Sequence, residues 1–354
     1  MRGALPVLCA LLGVSPATIA SQQVPANAET LRAAIDSFVS SRVAEDAFAG
    51  AISLARDGEI IYQRAAGVAN RETGAVIAPD TRLTIASMTK LFTHIAIRQL
   101  EQAGRLSLSD TVGKFLPEYP NPVVRQKVTI EHLLRHRSGI GNFWNEKFNA
   151  RRAEIRSVDD YMKLFQDDPL LFEPGTRQAY SNGGYVVLGA IIERVSGKAY
   201  HEYLRDRVFV PAGMTQTLPF DRRAPAANAA VGYTRMAEGG GRTEGPRLPN
   251  TDLKAGRSGP AGDHYSTVGD LHRLATALTG HRLLDSTHTA ALLGPRYAAG
   301  GEFRANGGGP GVNAEFSMYP SGIVLIVLSS YDPPSATDVA QFIRSLVAPA
   351  SASR

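Results

Sequence analysis

At 354 residues the chain exceeds one average domain, enough for a single large α/β unit or two intimately packed lobes around a sizeable core. Its 44% hydrophobic and 20% charged residues exclude a disordered chain. The net charge of +5, spread without a long Lys/Arg block, argues against a nucleic-acid partner.

The first residues read as an export signal over 1–21. Met1-Arg2 gives a positive start, Leu5 to Val14 an apolar stretch, and Thr18-Ile19-Ala20 a small-residue pattern for cleavage after Ala20 or Ser21. The apolar run is too short for a permanent membrane span, so a periplasmic or secreted location is expected. Cys9, the only cysteine, lies inside this segment. The mature chain then has no disulfide, thiol nucleophile or thiolate metal ligand.

From Glu29 to Ser40, Leu31, Ile35, Phe38 and Val39 recur at helical spacing. Two strand-like runs, 50–55 and 59–63, flank Asp57-Gly58, a strong hairpin signal. A helix-forming run then opens at Thr84-Ile85-Ala86-Ser87-Met88-Thr89-Lys90 and continues past His94 and Leu100 to a stop near Gly104. Ser87 and Lys90 stand three residues apart, so on a helix their side chains share one face. A Ser hydroxyl is a weak nucleophile, and a neighbouring Lys that burial deprotonates near neutrality supplies its base. By itself this spacing equally fits an N-terminal Ser with a solvated Lys one turn on. His94, about two turns beyond Ser87, is read as a packed or hydrogen-bonded helix residue.

Residues 105–220 read as mainly helical. Thr129 caps a short helix that ends before Gly139. His132 and His136 are one turn apart on it, but no Glu stands between them in the HExxH pattern and no third ligand is evident, so they are read as orienting nearby loops rather than holding zinc. A second helix starts at Ser157 and runs to Phe165. Tyr180-Ser181-Asn182 precedes the apolar run Val186 to Ile192. In an extended segment Tyr180 and Asn182 share a face, where Tyr180 can relay a proton and Asn182 can donate to a substrate carbonyl while accepting from Lys90. The same stretch also fits a polar loop capping a helix from Val186.

Residues 219–257, rich in Ala, Gly, Arg and Pro, read as a long loop system. Tyr265-Ser266-Thr267 is expected to start a helix through Leu278. Residues 311–320 and 322–329 read as a hairpin turning at Pro320-Ser321-Gly322, and 338–346 as a closing amphipathic helix. The sheet is thus assembled from segments far apart in sequence.

Taken together, SMTK at Ser87 to Lys90, YSN at Tyr180 to Asn182, and the flanking TIEHLLRHRSGI and EPGTRQAYSNGGYVVLGAIIERVSG stretches make the chain, over about residues 28–347, resemble the serine β-lactamase and penicillin-binding-protein superfamily. The likeness is to the branch with class C β-lactamases, D-aminopeptidases, D-alanyl-D-alanine carboxypeptidases and serine esterases. It implies an α/β (α+β) fold of the β-lactamase/transpeptidase type, an antiparallel sheet flanked by helices with a mainly helical second lobe. The division it implies is a sheet-containing lobe from 28–83 and 260–347, a helical lobe from 84–220, and cleft loops from 221–259. It also implies Ser87 as the acyl-enzyme nucleophile, Lys90 as its proton acceptor, Tyr180 as assistant in proton transfer, and no metal or organic cofactor.

The third motif departs from this pattern. Relatives carry Lys or His, a small residue, then Gly on an edge strand; here the stretch is Phe303-Arg304-Ala305-Asn306-Gly307-Gly308-Gly309-Pro310-Gly311. Counting back from Pro310-Gly311 puts Ala305 at the basic position, and a one-residue slip puts Asn306 there. Arg304 stands one residue from Ala305, an odd shift that points its side chain to the other face of the strand. Gly307, Gly308 and Gly309 still permit close substrate approach, with the Ser87 N–H and an N–H near Gly308 as an oxyanion hole. A second departure is Asp263-His264, where relatives place glycines; the pair is expected to narrow the cleft, with His264 a loop residue paired to Asp263. The expectation is an exported serine hydrolase for small-molecule or peptide acyl donors, peptidoglycan fragments among them, esterase or D-amino-acid peptidase-like, that hydrolyses short-chain aryl esters and turns over β-lactams only weakly. A penicillin-binding sensor and an inactive scaffold are the rival classes.

Overall fold

The computed structural model describes residues 27–236 and 241–347, so the expected export signal lies outside it. Helix α1 (Ala28–Ala44) starts where the Asn27 side chain accepts the Thr30 amide, and it buries Leu31, Ile35 and Val39 on one stripe. Strands β1 (Gly50–Arg56) and β2 (Glu59–Ala66) follow. Asp57 (φ 53°) and Gly58 (φ 85°) join them in the two left-handed conformations that a tight hairpin turn requires.

Short strand β3 (Leu83–Thr84) leads through a 3₁₀ turn at Ala86–Met88 into α2 (Thr89–Gln102). The intervening helices are shorter than the pattern suggests: Ile130–Leu134 after Thr129 and Val158–Met162 after Ser157, each opened by a reciprocal capping box. Helix α3 (Asn182–Ser196) begins four residues before the expected Val186, because the Ser181 side chain accepts the Gly184 amide and caps it there. Strand β4 (Leu218–Pro219) precedes β5 (His264–Ser266), which contains Tyr265, expected as a helix start; helix α4 (Val268–Thr279) is instead capped by Thr267. Strands β6 (Phe303–Gly309), β7 (Val312–Met318) and β8 (Ile323–Ser329) and helix α5 (Ser335–Val347) complete the fold.

The main sheet is antiparallel in the order β6-β7-β8-β1-β2. Segments from opposite ends of the chain are therefore neighbours, with Gly50 opposite Ser329. One face packs Ile52, Leu325 and Val327 against Ile35 of α1 and Val339 and Ile343 of α5. The other packs Ala51, Phe316, Ile326 and Leu328 into the larger core with Ile95, Leu188 and Leu271. Each such aliphatic or aromatic side chain contributes about 1.5–3 kcal/mol on burial. A small second sheet, β3-β5-β4, fixes the chain just before Ser87: the Ile85 amide donates to the His264 carbonyl at 2.9 Å. The result is a mixed α/β fold in which edge strand β6 runs beside the Ala86–Met88 turn.

Candidate active site

Ser87 stands where the chain is closely hemmed in by its neighbours. Ala86 before it has φ 42°, a left-handed value that costs an L-residue energy and persists only where neighbours hold it. Those neighbours are the Asp263 amide, which donates to the Ala86 carbonyl at 3.2 Å, and Gly307 of β6. A Cβ on Gly307 would run into the Ile85 carbonyl and lie 2.9 Å from the Ser87 nitrogen, so only glycine lets the strand approach this closely.

One turn on, Lys90 is 7% exposed. Its Nζ donates to Ser87 Oγ at 3.1 Å, to Asn182 Oδ1 at 2.7 Å and to the Ala261 carbonyl at 2.5 Å. All three acceptors are uncharged. Burial without an adjacent carboxylate pushes the ammonium down to about 7, and the more distant charge of Asp263 partly opposes that shift. Lys90 thus exchanges its proton near neutrality.

Tyr180 Oη donates to Ser87 Oγ at 2.6 Å. Burial raises its pKa, so its hydroxyl keeps its proton at neutral pH, although the bond to Ser87 works in the opposite sense. The Ser181 cap places Asn182 in the first turn of α3 instead of an extended segment, yet Tyr180 and Asn182 both converge on the Ser87–Lys90 pair. Asn142 Oδ1 accepts from both the backbone and the side-chain amide of Asn182, at 2.9 and 3.0 Å, which turns Asn182 Oδ1 toward Lys90. His136 is the matching support for Tyr180: its Nδ1 accepts the Ser181 amide at 3.2 Å and its ring lies 4.7 Å from the tyrosine ring. Burial holds His136 at about 4, hence neutral and able to accept. His132 serves the cap at Thr129, and His94 accepts from Arg98 on α2 at 3.4 Å, away from the cleft lining.

The cleft in front of Ser87 has a volume of about 520 Å³, a size that suits a small organic ligand. Gly307, Gly308 and Gly309 form one side of it. Asn306 lines it with them, whereas Ala305 packs against the apolar core. Arg304 is exposed and ion-paired to Glu302 at 3.0 Å. The turn after β6 is clamped by Asp332, which accepts the Gly311 amide at 2.7 Å and Arg247 Nη1 at 3.0 Å, and by Asn250 Nδ2, which donates to the Pro310 carbonyl at 2.7 Å.

His264 corrects the expectation of a loop histidine paired to Asp263. It is fully buried in β5, its Nδ1 lies 3.4 Å from Ser258 Oγ, and its ring packs 5.2 Å from that of His201. Asp263, just outside the strand at φ 72°, lines the cleft, whereas His264, the first residue of β5, is turned into the core behind it. Three contributors had no signal in the sequence, because each comes from a loop fixed only by packing: Asn142, the Ala261 carbonyl and Lys254, a buried cleft residue whose Nζ donates to Thr84 Oγ1 at 3.2 Å.

Comparison with known proteins places this geometry in context. A family model described as Beta-lactamase matches residues 35–346. The chain is 30% identical over 301 residues to the putative penicillin-binding protein PbpX of Bacillus subtilis, covering 82% of this chain and 73% of that one. It is 33% identical over 202 residues to esterase EstB of Burkholderia gladioli, covering 53% of this chain and about half, 51%, of the esterase. A penicillin-binding protein from Bacillus halodurans superposes with a TM-score of 0.76 at 31% identity, over 86% of this chain and 99% of that chain.

Proposed function

The chain belongs to the beta-lactamase family, and from that premise we propose that it is an exported serine hydrolase acting through an acyl-enzyme on Ser87. The observation that carries the proposal is the convergence of Lys90 and Tyr180 on one oxygen, Ser87 Oγ, at 3.1 and 2.6 Å. Of the two, Lys90 is the base: at about 7 a large fraction is the free amine at neutral pH, whereas Tyr180 keeps its proton.

Neutral Lys90 takes the Ser87 proton as Oγ bonds to the carbonyl carbon, and the carbonyl electrons move onto oxygen. The Ser87 and Gly308 amides receive that oxyanion. Collapse expels the alcohol or amine, which takes a proton from Tyr180, replenished from Lys90. Water then repeats the sequence on the acyl-enzyme and frees the acid and Ser87. Every proton in this cycle moves between Ser87, Lys90, Tyr180, substrate and water.

Acyl donors without a carboxylate suit the cleft best, because neither Ala305 nor Asn306 offers the cation that the resemblance implies for the third motif. Neutral short-chain aryl esters are the favoured substrates, with β-lactams and D-amino-acid amides turned over more slowly and peptidoglycan fragments as natural candidates. The apolar segment at Leu5 to Val14 supports export. Among the described residues no helix is long and apolar enough to cross a membrane. The lobes 28–83 with 260–347 and 84–220, and the cleft loops 221–259, are the proposed division of the chain.

Labelling with a fluorophosphonate and with a fluorescent penicillin, read by intact mass on wild type and Ser87→Ala, tests the proposal. The expected result is one adduct in the wild type, none in the variant, and hydrolysis of aryl esters. Absence of both adduct and hydrolysis across ester, β-lactam and amide panels overturns it, and a lasting adduct without turnover assigns the chain to the covalent binders.

A further inference from the structure

Two lysines are buried beside the cleft, and the proton transfers use only Lys90. Lys254 is as little exposed, at 7%. Its ammonium donates to Thr84 Oγ1 at 3.2 Å and lies 5.0 Å over the Phe220 ring. A hydroxyl and a ring face are weak compensation for taking a cation out of water, so a negative charge is needed nearby.

Asp263 supplies that charge. It lines the same cleft as Lys254, and its amide donates to the Ala86 carbonyl at 3.2 Å, next to Ser87. Two residues earlier, the Ala261 carbonyl accepts from Lys90 Nζ at 2.5 Å. The carboxylate therefore draws on both ammonium groups through space. Among the described residues it makes no ion pair with either, whose hydrogen bonds go to uncharged acceptors.

The other titratable groups around these three residues leave that balance alone. Tyr161 and Tyr265 feel Asp263, but burial raises both and keeps them neutral. Tyr180 and Tyr185 present their rings 4.9 and 5.4 Å from Lys90 Nζ, and both hydroxyls keep their protons. Burial holds His136 neutral. Arg222, the further cation felt by Lys254, is ion-paired to Asp252 at 3.1 Å. Asp263 thus has two buried cations to divide its charge between, one of them the base.

We infer that Lys254 is a positioning residue for the reaction: acting through Asp263, it limits the negative charge that Lys90 experiences and so sets the pH at which Ser87 is activated. Without the Lys254 ammonium, Asp263 has Lys90 as its one buried cation and turns to it, which holds the proton on the base. The inference rests on the hydrolase reading above and adds a residue that touches neither Ser87 nor substrate.

The test follows the acidic limb of kcat/KM for an aryl ester in a double-mutant cycle. Asp263→Asn should move the limb to lower pH and Lys254→Met to higher pH, each by about half a unit or more. Lys254→Arg, which keeps the cation, should leave it near the wild-type position. Lys254→Gln, which keeps a donor for Thr84, replaces Met if that variant does not fold. In the Asp263→Asn background the Lys254 substitution should no longer move the limb. A limb unmoved or moved the other way in either single variant overturns the inference, as does a Lys254 effect that persists undiminished without the carboxylate. The full chain labelled with ¹³C-lysine, with the Lys90 Cε signal assigned by Lys90→Arg, separates the two proposals. If no ester is hydrolysed, the hydrolase reading fails while the same displacements of the Lys90 titration still support the inference; a titration unmoved by both substitutions overturns it.

Discussion

Tyr180 Oη stands 2.6 Å from Ser87 Oγ although 93 residues of chain separate them. Two anchors hold this distance. Ser181 caps α3 and fixes the chain leaving Tyr180, and the Gly307 approach fixes the turn that carries Ser87. The hydroxyl of Ser87 is therefore flanked by a proton donor that keeps its proton and an amine that readily loses one, and the two can be told apart by mutation.

Lys90 as base predicts an acidic limb in the pH profile. Protonation removes the free amine, so kcat/KM should rise with pH through about 7 and level off above it. Lys90→Arg keeps a cation but cannot deprotonate in this range. It should lower kcat/KM by about a hundredfold to ten-thousandfold, and the limb should vanish. A limb retained in the variant would assign it to another group.

Tyr180→Phe removes the proton donor while keeping the ring against His136. Amide nitrogen needs protonation on leaving more than a phenolate does, so the loss should be larger for an anilide than for an aryl ester of the same acyl group. About a hundredfold on the anilide is expected, measured as the ratio of the two kcat/KM values. Equal losses would reassign Tyr180 to holding Ser87 in place.

The two candidate positions of the third motif should now behave differently. Asn306→Lys puts an ammonium on the cleft lining, and a charged hydrogen bond of about 1.5–3 kcal/mol corresponds to about one to two decades in kcat/KM for carboxylate-bearing donors over neutral ones. Ala305→Lys directs the same group toward apolar side chains and should lower Tm without that gain. The reverse outcome would put the carboxylate anchor on the Ala305 face of β6.

Asp332 is fully buried against Arg247, itself 4% exposed in its side chain. Asp332→Ala removes the buried carboxylate partner of that guanidinium and frees the Gly311 and Arg235 amides, so a loss of about 3 kcal/mol is expected in chemical denaturation, with a fall in esterase activity as the β6–β7 turn loosens. Asp332→Asn keeps one acceptor for the amide and should lose less. Unchanged midpoints in both variants would show that Asp46, 3.3 Å from Arg247, suffices as its partner.

The local signals in the sequence determined a good deal. Periodicity and Asp57-Gly58 located α1 and the first hairpin, and the Ser87–Lys90 spacing put two side chains on one face before any contact was known, because these depend on backbone geometry within a few residues. Element limits were less legible: α3 starts at Asn182 because one Ser181 hydroxyl outcompetes the apolar pattern, and Tyr265 is a strand residue because β3 and β4 pair on either side of it. Tertiary structure alone decided the rest. Which of Ala305 and Asn306 faces the cleft follows from the register of β6 on β7, and the split of Asp263 from His264 follows from where β5 begins, with Asp263 held just outside it at φ 72° by its amide bond to the Ala86 carbonyl. The pKa of Lys90 depends on how fully it is buried and on the absence of a contacting carboxylate, a sum over neighbours from residues 87, 182 and 261 that no local stretch contains.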